Sequence, residues 1–216
     1  MFKPAATLIK RCLALSGVAV LTLSLNACSP DQPTLPFKGS DITGSHLGKD
    51  LDMVDTSGQP RSLKDYKGKV VVGFFGFTQC PDICPTAMTQ LAQAIDLLGP
   101  DASKTQVLMI TVDPARDTPN VLKDYVQIFH DDFDGLTGSE AQLAKTAKSF
   151  KAFYARAPGA KPGQYTMDHS SSFYIIDPQG EARSLLRGDA TPEELAHDIR
   201  LVLPNPEHHQ LTEACT

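Results

Sequence analysis

The strongest constraint on the fold is a run of eight residues, 70–77, that contains only valine, glycine and phenylalanine. A short run rich in β-branched and aromatic residues is typical of a strand that is buried on both faces. Residues 107–112 and 173–176 are largely apolar runs of the same kind. Because such strands lie at the centre of sheets that helices cover, the sequence predicts a sheet of this type.

Segments with helical periodicity separate these strands. Met88, Leu91, Ile95 and Leu98 recur at helical spacing, and the Gly-Pro pair at 99–100 ends that helix. Three further helices, each opened by a serine or threonine that can cap it, are predicted at about residues 119–129, 139–153 and 191–203.

Shorter strands complete the pattern. Residues 51–54 and 61–63 flank a turn-rich tetrapeptide and predict a hairpin, and residues 182–186 predict a further strand after a turn. Because crossover helices place their strands in parallel, this N-terminal hairpin is expected at an antiparallel edge. The sequence therefore predicts an α/β protein with a thioredoxin-like fold, in which helices lie on both faces of a mixed central sheet.

The N-terminal residues have the pattern of a bacterial export signal. Three positive charges precede an apolar stretch of thirteen residues, 13–25. This stretch is shorter than the roughly 20 residues of a spanning helix, so a lipoprotein-type signal peptide is predicted over residues 1–27. The sequence LNAC at 25–28 resembles a lipobox and makes Cys28 the predicted lipidation site. A plain secretory peptide and an uncleaved anchor are the alternatives, and each of the three exports the domain into an oxidising space.

The rest of the chain is predicted to form a linker, one domain and a tail. Prolines and small residues dominate residues 28–45, which are expected to be a lipid-anchored linker. The thioredoxin-like domain is expected at 46–205 and a flexible tail at 206–216. The net charge is −5, and loss of the three cations of the signal peptide makes it −8. This charge argues against nucleic acid as a partner.

A pair of cysteines follows the first buried strand. Cys80 and Cys84 are four residues apart, so on the first turn of a helix both sulfurs face the same side. The free N–H groups and the dipole of a helix N-terminus are expected to lower the pKa of such thiols. A thiolate binds metal or attacks a disulfide, so the pair is predicted to be redox-active or metal-binding. Two buried structural thiols, or a structural disulfide, are the alternatives.

A histidine precedes the third buried strand, where dithiol oxidoreductases of this fold have a proline. Two thiolates from Cys80 and Cys84 with the imidazole of His169 are a suitable ligand set for copper in either oxidation state. Zinc also accepts such a set, usually with a fourth ligand. Asp168 could supply that ligand or orient the imidazole. The other histidines of the predicted domain, His130 and His197 among them, are interpreted as ordinary surface or core residues.

Three segments together resemble the signatures of the Sco/SenC family: CPDICP at 80–85, DPARDTP at 113–119 and DHS at 168–170. The resemblance covers about residues 51–203. It implies a thioredoxin-fold copper chaperone for cytochrome c oxidase assembly, with Cys80, Cys84 and His169 as copper ligands.

The family's activity implies specific partners for this chain. Family members deliver copper to the dinuclear copper site of oxidase subunit II, or keep its cysteines reduced. The expected partners are therefore subunit II and a periplasmic copper donor or thiol reductant. The expected location is the periplasmic side of a bacterial membrane, where an oxidase partner favours the inner membrane. A thiol–disulfide reductase without a carrier role is the main alternative, and a peroxidase or redox sensor is a third.

The middle segment carries charged residues whose roles the sequence leaves open. Asp113 ends the second buried strand and is a candidate residue for holding the metal ligands in place without binding the metal itself. Asp117 is interpreted as part of a helix start, and Arg116 as the ion-pair partner of a nearby acid. Gln79, which precedes the first cysteine, is given no role in ligation.

Overall fold

The structure is a computed structural model that describes residues 35–204, in which strands and helices alternate. The strands are β1 (Ser40–Asp41), β2 (Met53–Asp55), β3 (Pro60–Arg61), β4 (Val70–Gly76), β5 (Thr105–Thr111), β6 (Asp134–Thr137), β7 (Tyr154–Pro158), β8 (Tyr165–His169), β9 (Phe173–Ile176) and β10 (Ala182–Leu186). The α-helices are α1 (Ile83–Leu98), α2 (Pro119–Gln127), α3 (Glu140–Phe150) and α4 (Pro192–Val202). Short 3-10 helices occupy Leu63–Tyr66 and Gly99–Lys104.

Eight of the strands form one mixed sheet in the order β1-β10-β9-β4-β5-β6-β2-β3. The central strands β4, β5 and β6 are parallel, whereas β9 runs antiparallel to β4 on its other side. Met53 pairs with Arg61 in the N-terminal hairpin, which lies at one edge of the sheet. The predicted fold class is therefore confirmed.

The alternation of side chains along β4 places helices on both faces of the sheet. Phe75 packs against Phe150 of α3, with ring centroids 5.4 Å apart. Gly76 lies on the opposite face, where a Cβ atom would be 3.1 Å from the sulfur of Cys84 in α1. All seven residues of β4 are buried, so this strand fixes the start of α1 relative to the core.

Three of the helices begin at the capping residues that the sequence indicates. The side chain of Thr118 accepts a hydrogen bond from the N–H of Val121 at the start of α2. Capping boxes open α3, with Ser139 and Gln142, and α4, with Thr191 and Glu194. The third helix ends earlier than predicted, at Phe150, because the next residue adopts a left-handed conformation.

The fold begins earlier than the sequence predicts. Residues 40–41 lie within the predicted linker, 28–45, but pair with β10 as strand β1. The N–H groups of Lys38 and Gly39 also donate to the carboxylate of Asp198, which anchors this segment to α4. A segment with several prolines and glycines can still add an edge strand, because backbone pairing needs no apolar side chains.

Both termini lie outside the described residues. The predicted signal peptide, the lipidation site Cys28 and the tail at 206–216 are all in these parts of the chain. None of the helices between residues 35 and 204 combines the length and the hydrophobicity that crossing a bilayer requires.

Two features that the sequence did not indicate are β6 and a separate hairpin of β7 and β8. In this hairpin Tyr154 pairs with His169, so the hairpin carries the predicted histidine ligand. Met167 is the one buried residue of β8, and β7 has none, so neither strand has the apolar pattern of the central strands.

The contact between α2 and the sheet gives a test of this packing. A Cβ atom at Gly135 would lie 2.4 Å from Cγ of Leu122, whereas one at Gly73 would have only ordinary contacts, at 3.9 Å or more. Overpacking typically costs about 1–3 kcal/mol. We therefore expect Gly135→Ala to lower the free energy of unfolding by about that amount in urea titrations. Gly73→Ala is the matched control and is expected to lower it by less than about 0.5 kcal/mol; equal losses in the two variants would contradict the packing.

Candidate metal centre

The two cysteines lie where the chain passes from β4 into α1. The N–H of Cys80 donates to the carbonyl of Phe77 at 3.2 Å, which turns the chain after the strand. The N–H of Cys84 in turn donates to the sulfur of Cys80 at 3.4 Å. Cys84 is completely buried in the first turn of the helix, whereas Cys80 is partly exposed, and neither forms a disulfide.

Burial dominates the ionisation of Cys84. Desolvation raises the pKa of its thiol well above the usual range, and the neighbouring Cys80 raises it further, although a backbone hydrogen bond with Phe77 opposes both effects. The prediction that the helix N-terminus lowers the pKa is therefore wrong for Cys84. Without a metal, this thiol is protonated at neutral pH, so metal binding must release its proton.

The imidazole of His169 points into the same site from the end of β8. Its Nδ1 lies 2.8 Å from the carbonyl oxygen of Ser170, and because a carbonyl only accepts, Nδ1 carries the proton. Nε2 is thus unprotonated, and its lone pair accepts a hydrogen bond from the thiol of Cys84, whose sulfur lies 3.5 Å away. The rings of Phe74 and Phe77 stand nearly perpendicular to the imidazole at 6.2 and 5.8 Å. Burial lowers the pKa of His169, which keeps the ring neutral.

The structure brings Cys80, Cys84 and His169 together. Their two sulfurs and one ring nitrogen all lie within 4.8 Å of one another, and no second group of this kind occurs among residues 35–204. Two sulfurs and a neutral imidazole with an unprotonated Nε2 fit a soft or borderline metal ion. A cavity of about 350 Å³ adjoins the ligands and is also lined by Ile83, so an incoming group can reach them.

The structure does not give Asp168 the role expected for it. Its side chain is exposed, and the group of potential metal ligands does not include it. The carbonyl of Ser170 occupies the orienting position behind the ring of His169 instead. Asp168 acts only at longer range, where its charge opposes the lowering of the histidine pKa by burial.

Asp113 lies behind the site and contacts none of the three candidate ligands directly. It is buried, and its carboxylate accepts a hydrogen bond from the hydroxyl of Tyr165 at 2.9 Å and forms an ion pair with Arg116. The prediction that Arg116 pairs with a nearby acid is confirmed. Because Tyr165 begins β8, Asp113 connects the central sheet to the strand that carries His169.

Asp117 has a structural role, but it does not cap the helix that follows it. Its buried carboxylate accepts hydrogen bonds from the hydroxyls of Thr111 and Thr78, both at 2.6 Å, and from the N–H of Thr78 at 3.1 Å. The cap of α2 is the next residue, Thr118. Because Thr78 lies two residues before Cys80, Asp117 ties the cysteine loop to the end of β5.

The remaining histidines of the described region lie outside this group. His130 stacks on Phe133, with ring centroids 5.0 Å apart, and His197 contacts the carboxylate of Asp198. His46 is an exposed residue with a positive φ of 58°. His208, His209 and Cys215 belong to the predicted tail and lie outside the described residues.

The chain belongs to the SCO1/SenC family, whose model matches residues 40–203. Among its relatives is an SCO2-like protein of Rickettsia felis, 35% identical over 187 residues that cover 86% of this chain and 91% of the relative. This assignment from sequence agrees with the fold and with the Cys-Cys-His group that the structure brings together.

Solved structures support the same conclusion. Bradyrhizobium japonicum ScoI with copper bound has a TM-score of 0.65 and 37% identity, over 71% of this chain and 97% of that one. BsSco, a member of the Sco family of cytochrome c oxidase assembly proteins in which a disulfide switch was identified, has a TM-score of 0.57 and 28% identity. That similarity covers 75% of this chain and 95% of BsSco.

The difference in burial between the cysteines predicts unequal reactivity. In the metal-free, reduced protein we expect iodoacetamide to alkylate Cys84 more than about tenfold more slowly than Cys80, because Cys84 is buried and its thiol is protonated. Peptide mapping by mass spectrometry measures both rates. In denaturant the two rates should converge, and equal rates in the native protein would contradict the geometry.

Burial of His169 predicts a pH effect on stability. Because its pKa in the folded chain lies below the ordinary value of 6.5, the unfolded chain binds a proton first as the pH falls. The stabilisation from the neutral ring is thus complete above pH 6.5 and is lost as the pH falls through the lower, folded value. Metal-free His169→Gln should lose less stability on acidification than the parent in urea titrations, and identical pH profiles would count against the buried, neutral ring.

Proposed function

We propose that this protein binds one copper ion through Cys80, Cys84 and His169 and delivers it to the dinuclear copper site of cytochrome c oxidase subunit II. The observation that carries the proposal is the convergence of two sulfurs and the unprotonated Nε2 within 4.8 Å. The copper-bound relative from B. japonicum and the assembly role of BsSco support it.

The chemistry of the donors favours copper over zinc. A structural zinc site needs four ligands, and Asp168, the expected fourth, is exposed and outside the group. Cu(I) accepts a low-coordinate site of soft thiolates, and the imidazole also suits Cu(II). A three-donor site can therefore hold either oxidation state of copper without further protein ligands.

The exposure of the ligands suggests how copper leaves the site. Cys80 is partly exposed and lines the cavity that adjoins the site, whereas Cys84 is buried. A thiolate of the acceptor can approach through this cavity and replace Cys80 first. Exchange of one ligand at a time transfers the ion from protein to protein without release into water.

A second candidate function, thiol–disulfide reduction, is favoured by the contact between the cysteines. Because Cys84 N–H donates to the Cys80 sulfur, the two thiols lie close together, and both are reduced in this structure. The pair can pass two electrons and two protons to a partner's disulfide and become a disulfide itself. In that state it offers no thiolates to a metal, so reduction by a periplasmic thiol donor must precede copper loading.

The proposed location follows from the N-terminal sequence. A lipid on Cys28 would hold the domain on the periplasmic side of a bacterial membrane. An oxidase partner favours the inner membrane.

Anaerobic titration of the reduced protein with Cu(I) tests the copper proposal. We expect one equivalent to bind, with the affinity measured by competition with a Cu(I) chelator. Cys80→Ala and Cys84→Ala should each abolish tight binding, and His169→Ala should lower the affinity by at least about tenfold, because residues that only support a ligand already contribute about 10–100-fold.

Controls separate this proposal from the alternatives. His197→Ala, which changes a histidine outside the ligand group, should bind copper like the parent. Preference for zinc over copper would refute the copper proposal. An affinity that His169→Ala does not change, combined with disulfide reductase activity, would establish the second candidate instead.

A further inference from the structure

The hairpin of β7 and β8 packs on the core through Met167 but makes few hydrogen bonds to the rest of the described fold. It forms a two-stranded sheet of its own, separate from the eight-stranded sheet. Within residues 35–204, two residues of its strands make hydrogen bonds to the rest of the fold. These are Tyr165 and His169, at opposite ends of β8. The attachment at Tyr165 must therefore contribute to the position of His169.

One guanidinium joins the two segments that carry the ligands. Nη1 of Arg116 donates to the backbone carbonyl of Tyr165 at 3.1 Å and to the side-chain oxygen of Gln79 at 3.0 Å. Gln79 immediately precedes Cys80. The guanidinium carbon also lies 3.9 Å from the ring centroid of Tyr165 and 5.8 Å from that of Phe77.

A buried carboxylate holds this guanidinium in place. Asp113 is 1% exposed and accepts from Nε of Arg116 and from the hydroxyl of Tyr165. Because Asp113 lies two residues after the end of β5, the arrangement is anchored on the central sheet. The planar guanidinium presents several donors in a fixed geometry, which an ammonium group does not reproduce.

We propose that Arg116, anchored by Asp113, is a positioning residue that sets the distance between His169 and the two cysteines by clamping Tyr165 and Gln79. The clamp comprises these four residues: Gln79, Asp113, Arg116 and Tyr165. The inference rests on the ligand set of the proposed function. It adds residues that touch no metal but control the place of the imidazole donor.

Two conservative variants test the clamp. Tyr165→Phe removes the hydroxyl bond to Asp113 and keeps the ring, and Arg116→Lys keeps the charge and removes the bridge. Residues that orient metal ligands typically change affinity by 10–100-fold, so we expect about a tenfold loss of Cu(I) affinity in each variant, measured by competition with a chelator. Tyr154→Phe, on the paired strand of the same hairpin, is the matched control and should bind like the parent.

A double-mutant comparison shows whether the clamp acts through His169. In the His169→Ala background, Tyr165→Phe and Arg116→Lys should cause no further loss of affinity. A further tenfold loss there would show general damage to the cysteine loop and overturn the proposal. Parent-like affinity of both single variants would overturn it as well.

A measurement without copper gives independent evidence. The NMR signals of the His169 ring should shift in metal-free Tyr165→Phe but not in Tyr154→Phe, and unchanged ring signals in Tyr165→Phe would contradict the clamp. Failure of the parent to bind copper would refute the proposed function alone, because the ring signals still report whether the clamp positions His169.

Discussion

The packing of α1 against the end of β4 is the constraint on which the site depends. Cys84 is completely buried beside Gly76, where a Cβ atom would come within 3.1 Å of the sulfur. Three hydrogen bonds hold the carboxylate of Asp117 to Thr78 and Thr111 and so fix the loop between strand and helix. Cys84 is thus part of the hydrophobic core, Cys80 packs against that core, and the position of this candidate ligand pair is set by the same packing as the central sheet.

His169, the third candidate ligand, depends more on polar contacts. His169 lies on a hairpin outside the main sheet. In this hairpin, two residues of β8 make the hydrogen bonds to the rest of the described fold. Polar contacts are individually weaker than the packing of a core helix. Under the proposed function, core packing would thus set the cysteine side of the site and the clamp would set the histidine side, so substitutions can perturb the two sides separately.

The sequence predicted those parts of the structure that local patterns determine. The central strands were evident from apolar runs, and the helix starts from capping residues such as Thr118 and Ser139. The hairpin that carries His169 was missed because its strands are mostly half-buried and have no apolar alternation. The partners of Gln79 and the pKa of Cys84 depend on tertiary contacts, burial above all, and no spacing rule reports them.

The electrostatics of the metal-free site follow from this burial. Desolvation keeps the Cys84 thiol protonated and the His169 imidazole neutral, so the buried part of the site carries no charge before a metal arrives. A Cu(I) ion bound as proposed would replace the proton of Cys84, and this exchange of one positive charge for another would avoid a buried, unpaired thiolate. The same protonation protects the thiol from oxidation, because a thiol reacts far more slowly than a thiolate. Burial therefore has a consequence in each state of the site. It keeps the metal-free cysteine unreactive, and it makes formation of the thiolate depend on a bound metal ion that balances its negative charge.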